Sequence, residues 1–466
     1  MTTFYGTNGN DTWSSWMSST TGEGTDDPDT FFGFDGADWI EGEEGNDYIV
    51  GGAGADYLLG EEGLDTASYS DSLVGVGVNL TTGYGYGGTA AGDILVSIEN
   101  VTGSWYNDFL IGTDGDNVLT GLSGDDILDG GFSTDTLYGD ADNDTLKGGG
   151  GADRLYGGTG TDTASYFDSY DGVLVSLITG TAAYGDAEGD RLDSIENLMG
   201  SRYDDILWGD NGSNGINGMD GNDTIRGFGD ADSLLGGDGN DQLFGGDGDD
   251  LLSGDEGIDT MDGGLGNDTY YVDNFLDVAA EGIERGSVDQ VKTSVTYILG
   301  KGSEVEILET TDPRASTRLD LSGNEFNNTI IGNEGNNTIV GYGGRDVLTG
   351  GGSGDVFVWT STAETRQAAT DADVVTDFNR LVGDQIAVNL IDADPTIAGD
   401  QAFKFVGVVD FQTSFFTGAG EIGYFTTATD TYILLNTKVD AGPTDFEEAT
   451  IDLVGVHNPD ASWFAL

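Results

Sequence analysis

The chain has 466 residues, with 85 Asp and Glu against 15 Lys and Arg, a formal net charge of −70, 80 Gly, 5 Pro, one His and no Cys. Such an anionic excess argues against nucleic acid and anionic membrane surfaces, which are gripped by Lys and Arg, and it opposes compaction unless something neutralises it. A disulfide framework is excluded, no run approaches the ~20 apolar residues of a spanning helix, and a 37% hydrophobic content is too high for plain disorder.

In chain order, residues 1–10 carry neither a basic cluster nor an apolar run, which predicts no secretory signal peptide. One nine-residue unit starts at Gly6, and the polar and aromatic stretch 14–32, with Pro28, reads as a loop or N-terminal cap. From Gly33 the pattern G-G-x-G-x-D-x-U-x takes over, where U is a large apolar residue. Its fullest copies open at Gly51 (GGAGADYLL), Gly148, Gly236 and Gly245. Units start at Gly33, Gly42, Gly51 and Gly60, then run over 103–165, 200–271 and 323–358, for 24 in all. Position eight is always apolar.

Position six is Asp in 20 units and Asn in four, Asn117, Asn214, Asn328 and Asn337. The aspartates nominated as metal ligands are Asp38, Asp47, Asp56 and Asp65 in the first run, and Asp108, Asp126, Asp135, Asp144, Asp153 and Asp162 in the second. The third run supplies Asp205, Asp223, Asp232, Asp241, Asp250, Asp259 and Asp268, and the fourth Asp346 and Asp355. Glycines at positions one, two and four allow the left-handed backbone of a tight turn. Such turns bring carbonyls together, and Gly51, Gly148, Gly236 and Gly245 are nominated with the carboxylates on that ground. Carbonyls and carboxylates are the donors Ca²⁺ prefers, at about 2.3–2.6 Å. The x-U-x segment then makes a short strand with one inward side chain. With two units per coil, a run of n units offers about n − 2 full sites, roughly 15 ions in total. An amide at Asn117 or Asn214 predicts a weaker site than at Asp241 or Asp250. A glycine-rich flexible linker is the bland alternative, and it gives no reason for the apolar position eight.

This register resembles the RTX, or hemolysin-type, calcium-binding repeat family. The resemblance implies an all-β fold, a right-handed parallel β-roll solenoid, with calcium as cofactor and folding coupled to it. It also implies a secreted, extracellular protein, in some cases associated with the cell surface, exported through type I secretion machinery.

Above the short period lies a longer one. Asp65 and Asp162, Ser97 and Ser194, and Gly103 and Gly200 are each 97 residues apart, so 33–129 and 130–226 read as two copies of one module. Each copy holds a spacer, 69–102 or 166–199, whose alternating Val74, Val76, Val78 or Val173, Val175 predicts irregular β coils within the roll. The remaining divisions are 1–32 (cap and first unit), 227–271 (repeats), 272–322 (a β-rich spacer), 323–358 (repeats) and 359–466. The last resembles the C-terminal domain of serralysin-type secreted proteases, on Asp373, Phe378, Asp384 and Ile386, and implies a β cap and secretion signal. The family usually ends in Asp and three apolar residues; here Trp463 stands in the Asp place before Phe464, Ala465 and Leu466, and Asp460 is the nearest acid.

Catalytic signals are missing. A lone His457 cannot supply the two imidazoles of H-E-x-x-H, so a zinc-protease site is excluded. No G-x-S-x-G elbow and no Cys nucleophile are present. The sequence therefore predicts a non-catalytic calcium-binding protein with a structural or adhesive role in a surface layer, matrix or biofilm, through self-assembly. The alternatives are a calcium-dependent module binding extracellular polysaccharide, with Trp39, Trp105, Trp208, Tyr138 and Tyr156 as a sugar platform or simply as packing, and an enzyme with an unrecognised site.

Overall fold

A nonapeptide places one large apolar residue between two outward-facing ones, and a strand is the conformation that buries alternate side chains. In the computed structural model the strands pair in parallel two units apart. Leu110 lies opposite Leu128 and Leu128 opposite Leu146, while Leu119 pairs with Leu137 and Leu137 with Leu155. Odd and even units thus build two sheets, and their position-eight side chains form buried ladders between them. This is a parallel β-roll of two nonapeptides per coil. Each buried Leu contributes about 1.5–3 kcal/mol of apolar burial. The structure describes residues 3–13, 28–282, 288–361, 364, 372–391, 402–408, 419–437, 449–455 and 457–465. Most of the expected loop or cap at 14–32 lies outside them. Among the described residues there is no α-helix, and none long and apolar enough to cross a membrane.

Pairing extends beyond the three residues expected. Val118–Ser123, Ile127–Phe132 and Thr136–Ala141 are six-residue strands that continue through positions one to three of the next unit. Leu122 and Ser123 stay in register with Asp140 and Ala141. The cause is the hydrogen-bonding demand of the turn backbone. Its amides bond one coil onward, as in Asp142 N–H to Thr159 O at 2.9 Å. Turns therefore stack as regularly as strands.

The chain divides into units Met1–Asp241 and Gln242–Leu466. In the first, the spacers supply coil strands. Gly77–Asn79 pairs in parallel with Phe109–Ile111, Ile94–Val96 with Tyr57–Glu62, and Asn100–Thr102 with Thr66–Ser68. They also carry antiparallel excursions that the alternation did not announce, Gly77–Asn79 against Tyr84–Tyr86 and Leu174–Ser176 against Thr181–Ala183.

In the second unit, the β-rich spacer keeps the roll going. Thr269–Val272, Gln290–Thr293, Ile307–Thr310 and Thr329–Ile331 are successive parallel neighbours. The C-terminal segment then covers both sheet ends. Asp373–Val375 pairs with Val347–Thr349 and with Ala449–Val454, while Gln385–Ala387 pairs with Val356–Val358 and with Phe464–Ala465. Trp463 packs 5.1 Å from Phe378, ring centre to ring centre. His457 stands edge-on to both rings, and its backbone N–H bonds the Thr431 hydroxyl at 2.8 Å.

Candidate metal sites

Most position-six carboxylates are held from the preceding coil. The Asp126 N–H donates to Asp144 Oδ1 at 2.8 Å, and Asp144 donates to Asp162 in turn at 2.8 Å. The same bond joins Asp38 to Asp56, Asp47 to Asp65, Asp223 to Asp241 and Asp250 to Asp268, at 2.7–2.8 Å. That occupies Oδ1. The second oxygen, Oδ2, is buried with no hydrogen-bond partner at Asp38, Asp47, Asp56, Asp65, Asp126, Asp135, Asp144, Asp153, Asp162, Asp223, Asp268, Asp346 and Asp355. A buried unsatisfied carboxylate oxygen costs more than the ~1–3 kcal/mol of a neutral group.

The position-one glycine explains where that oxygen points. A Cβ on Gly51 would lie 2.5 Å from Asp56 Oδ2, and one on Gly148 2.4 Å from Asp153 Oδ2. On Gly245 it would meet Asp250 Oδ2 at 2.2 Å and Gly263 O, from the next coil, at 2.4 Å. The Gly236 carbonyl approaches Gly218 in the same way, at 2.6 Å. So the expectation of a left-handed backbone at position one is corrected: glycine is needed there for space. The left-handed residues sit at positions two and four. Gly149 and Gly237, at position two, have φ of +86° and +112°, and Phe34, Leu122 and Met219 take the same conformation despite a Cβ. Each of those costs about 1–2 kcal/mol.

The loops fall into two kinds. Position two is left-handed in every unit of the first run (residues 34, 43, 52, 61). In the three later runs this conformation starts only at the third unit, at Leu122, Met219 and Tyr342. The first two loops of those runs close on themselves. Ser104 N–H donates to Asp108 Oδ2 and Ser201 N–H to Asp205 Oδ2, both at 2.5 Å, and their hydroxyls donate to the Oδ1 atoms at 2.8 and 2.9 Å. The four Asn units are all closed, with the position-two N–H of Thr113, Asp210, Asn324 and Asn333 bonded to the Asn oxygen. Their Nδ2 groups reach back to carbonyls of the spacer coil: Asn117 to Glu99 O, Asn214 to Glu196 O, Asn328 to Val305 O and Asn337 to Leu319 O, at 2.6–2.8 Å. A carboxylate could not make that bond. These amides thus brace the start of a run, where a weak ligand was expected. The nominated Asp108 and Asp205 have both oxygens hydrogen-bonded.

The carboxylate ladder also continues through residues outside the nonapeptides, which the motif missed. Asp56 N–H donates to Asp93, Asp65 to Glu99, Asp153 to Asp190 and Asp162 to Glu196, at 2.8–2.9 Å. The other oxygen of Asp93 accepts the Tyr69 hydroxyl, and that of Asp190 the Tyr166 hydroxyl, at 3.2 and 3.1 Å. Tyr69 and Tyr166, Asp93 and Asp190, and Glu99 and Glu196 each stand 97 residues apart, a signal that could have found them. In the C-terminal segment Asp373 and Asp384 accept from Asp346 and Asp355.

Burial raises these carboxylates. It pushes Asp126, Asp223 and Asp346 up to about 8, and Asp65, Asp135, Asp144 and Asp355 to about 7. The backbone N–H bond works the other way, and neighbouring carboxylates add to the rise. An ionised row is therefore costly without counter-charge. Orphaned carboxylate oxygens, neighbouring turn carbonyls and glycines leaving room between coils fit a hard divalent cation.

The aromatic residues named for a sugar platform or for packing differ in their surroundings. Trp39 stacks on Tyr57 (4.2 Å) and Tyr138 on Tyr156 (4.9 Å), so ring faces cover one another along the ladder, while Trp105 is 58% exposed.

The sequence profile described as RTX calcium-binding nonapeptide repeat (4 copies) matches residues 22–67, overlapping stretches covering 102–164 and 192–278, and 322–357, about half of the chain. No curated protein matches it.

Proposed function

The chain is an RTX repeat protein, and from that premise we propose that it is a secreted, non-catalytic protein whose roll assembles on calcium. RTX repeats bind calcium. Here the ions would be held by the position-six Oδ2 atoms and turn carbonyls of stacked coils, in the loops with a left-handed position two. Asp108 and Asp205 would not be ligands. An ion supplies positive charge where the fold has buried unpaired negative charge. Roughly 15 divalent ions would cancel on the order of 30 of the negative charges. The supporting observation is the row of buried oxygens without partners.

Folding that waits for calcium suits export of an unfolded chain through a type I system into calcium-rich surroundings. The proposed role there is structural or adhesive, by self-assembly in a surface layer, matrix or biofilm. Electron microscopy of the purified protein tests it: ordered sheets or filaments on adding Ca²⁺ support the role. Strictly separate particles that shift on adding alginate would contradict it and favour glycan binding.

A further inference from the structure

The 200–271 run ends against the β-rich spacer, where no further nonapeptide follows. Asp268 is position six of the last unit. One coil later Asp289 takes the corresponding place, although 21 residues away, and Asp268 N–H donates to Asp289 Oδ1 at 2.8 Å. A third acid enters from the spacer. One oxygen from each of Asp268, Glu281 and Asp289 lies within 4.8 Å of the others, and all three residues are buried.

Two details point this cluster at a ligand. Asp268 and Asp289 are each 1% exposed, and the Oδ2 of each has no hydrogen-bond partner. Glu281 is also placed deliberately. The Tyr270 hydroxyl donates to its Oε2 at 2.7 Å while accepting the Gly263 N–H at 2.8 Å, and Gly282 N–H bonds Oε1 at 2.9 Å. A Cβ on Gly263 would meet both Asp268 Oδ2 (2.2 Å) and the Tyr270 hydroxyl (2.5 Å), so free carboxylate and tyrosine face the same small space. The charges that act on Glu281 and Asp289 are themselves acidic, Asp262, Asp249, Glu304 and Glu306 among them.

We propose that Asp268, Glu281 and Asp289 form a divalent-cation site, built from three carboxylates, that joins the end of the repeat run to the spacer. It goes beyond the turn sites, because Glu281 and Asp289 belong to no nonapeptide. Three buried carboxylates would carry a charge of about −3, against which a divalent ion is the natural counter-charge. A larger count of charged ligands also raises Ca²⁺ affinity. Tyr270 is the positioning residue, holding the Glu281 carboxylate toward the pair.

Native mass spectrometry at the calcium concentration that just saturates the wild type tests this by counting ions. Asp289→Asn retains an oxygen to accept the Asp268 N–H, Glu281→Gln retains one for the Tyr270 hydroxyl or the Gly282 N–H, and each should hold one ion fewer. Glu309→Gln, at the spacer surface beside Lys292, should hold the wild-type number. Wild-type counts in both E281Q and D289N would overturn the proposal. If one variant fails to fold, the other decides. A wild type that binds no calcium would contradict the turn sites as well, so the two failures are distinguishable.

Discussion

Asp108 and Asp126 occupy the same motif position on neighbouring coils, yet only Asp126 has a buried oxygen without a partner. The difference lies at position two: Ser104 closes its loop on Asp108, whereas Leu122 is left-handed. In the proposed arrangement an ion lies between two repeat loops one coil apart, and the first two units of a later run follow a spacer instead. Asp144→Asn should therefore lower the number of bound calcium ions by at least one, and Asp108→Asn should leave it unchanged, both read by native mass spectrometry. Glycines separate in the same manner. Gly51→Ala would press a methyl group onto Asp56 Oδ2 and should lose calcium at that turn. Gly115→Ala, whose nearest neighbour is Thr113 Oγ1 at 3.6 Å, should shift stability by less than about 0.5 kcal/mol.

At the scale of elements, the ladders and the spacers carry different loads. Leu137 is fully buried between Leu119 and Leu155, and Leu137→Ala should cost about 2–5 kcal/mol in calcium-saturated protein, measured by denaturant unfolding. In the spacers a tyrosine hydroxyl bonds the carboxylate oxygen that is left free in the turns. Tyr166→Phe would strip Asp190 of that bond, with a cost of about 1–3 kcal/mol and no change in ion count. Positions six and eight were legible because each recurs at the same place in the repeat, one in the turn and the other in the buried ladder. The closed loops were not, because Asp108 and Asp126 are identical within the motif and differ only through what lies one coil back. The spacer carboxylates were half legible: the offset of 97 residues pairs Asp93 with Asp190, but nothing local marks either as part of the ladder. The Asp268–Glu281–Asp289 cluster was hidden, since its spacing of 21 residues breaks the period of 18.

For the whole molecule, the balance is between apolar ladders and a net charge of −70. Protonation offers a second way to settle it. An unfolded Asp titrates near ~3.9, while burial raises Asp135 and Asp144 to about 7 and Asp126, Asp223 and Asp346 to about 8. Between those values the folded chain binds more protons than the unfolded one, so metal-free stability falls as pH rises. It is fully present below the unfolded value and lost by about pH 8. In chelator, the chain should show more β structure at pH 4.5 than at pH 8, and urea midpoints should fall across that interval. A metal-free protein whose stability rises with pH there would contradict the burial of these carboxylates.

Calcium at neutral pH is the more direct lever on the same charges. Far-UV circular dichroism of the intact chain, first in EGTA and then in excess Ca²⁺, reads the outcome in one sample. The coil spectrum should give way to a β spectrum on adding calcium and return on chelation. A β spectrum that is already complete in EGTA, and unchanged by calcium, would contradict the coupling of this fold to its ions.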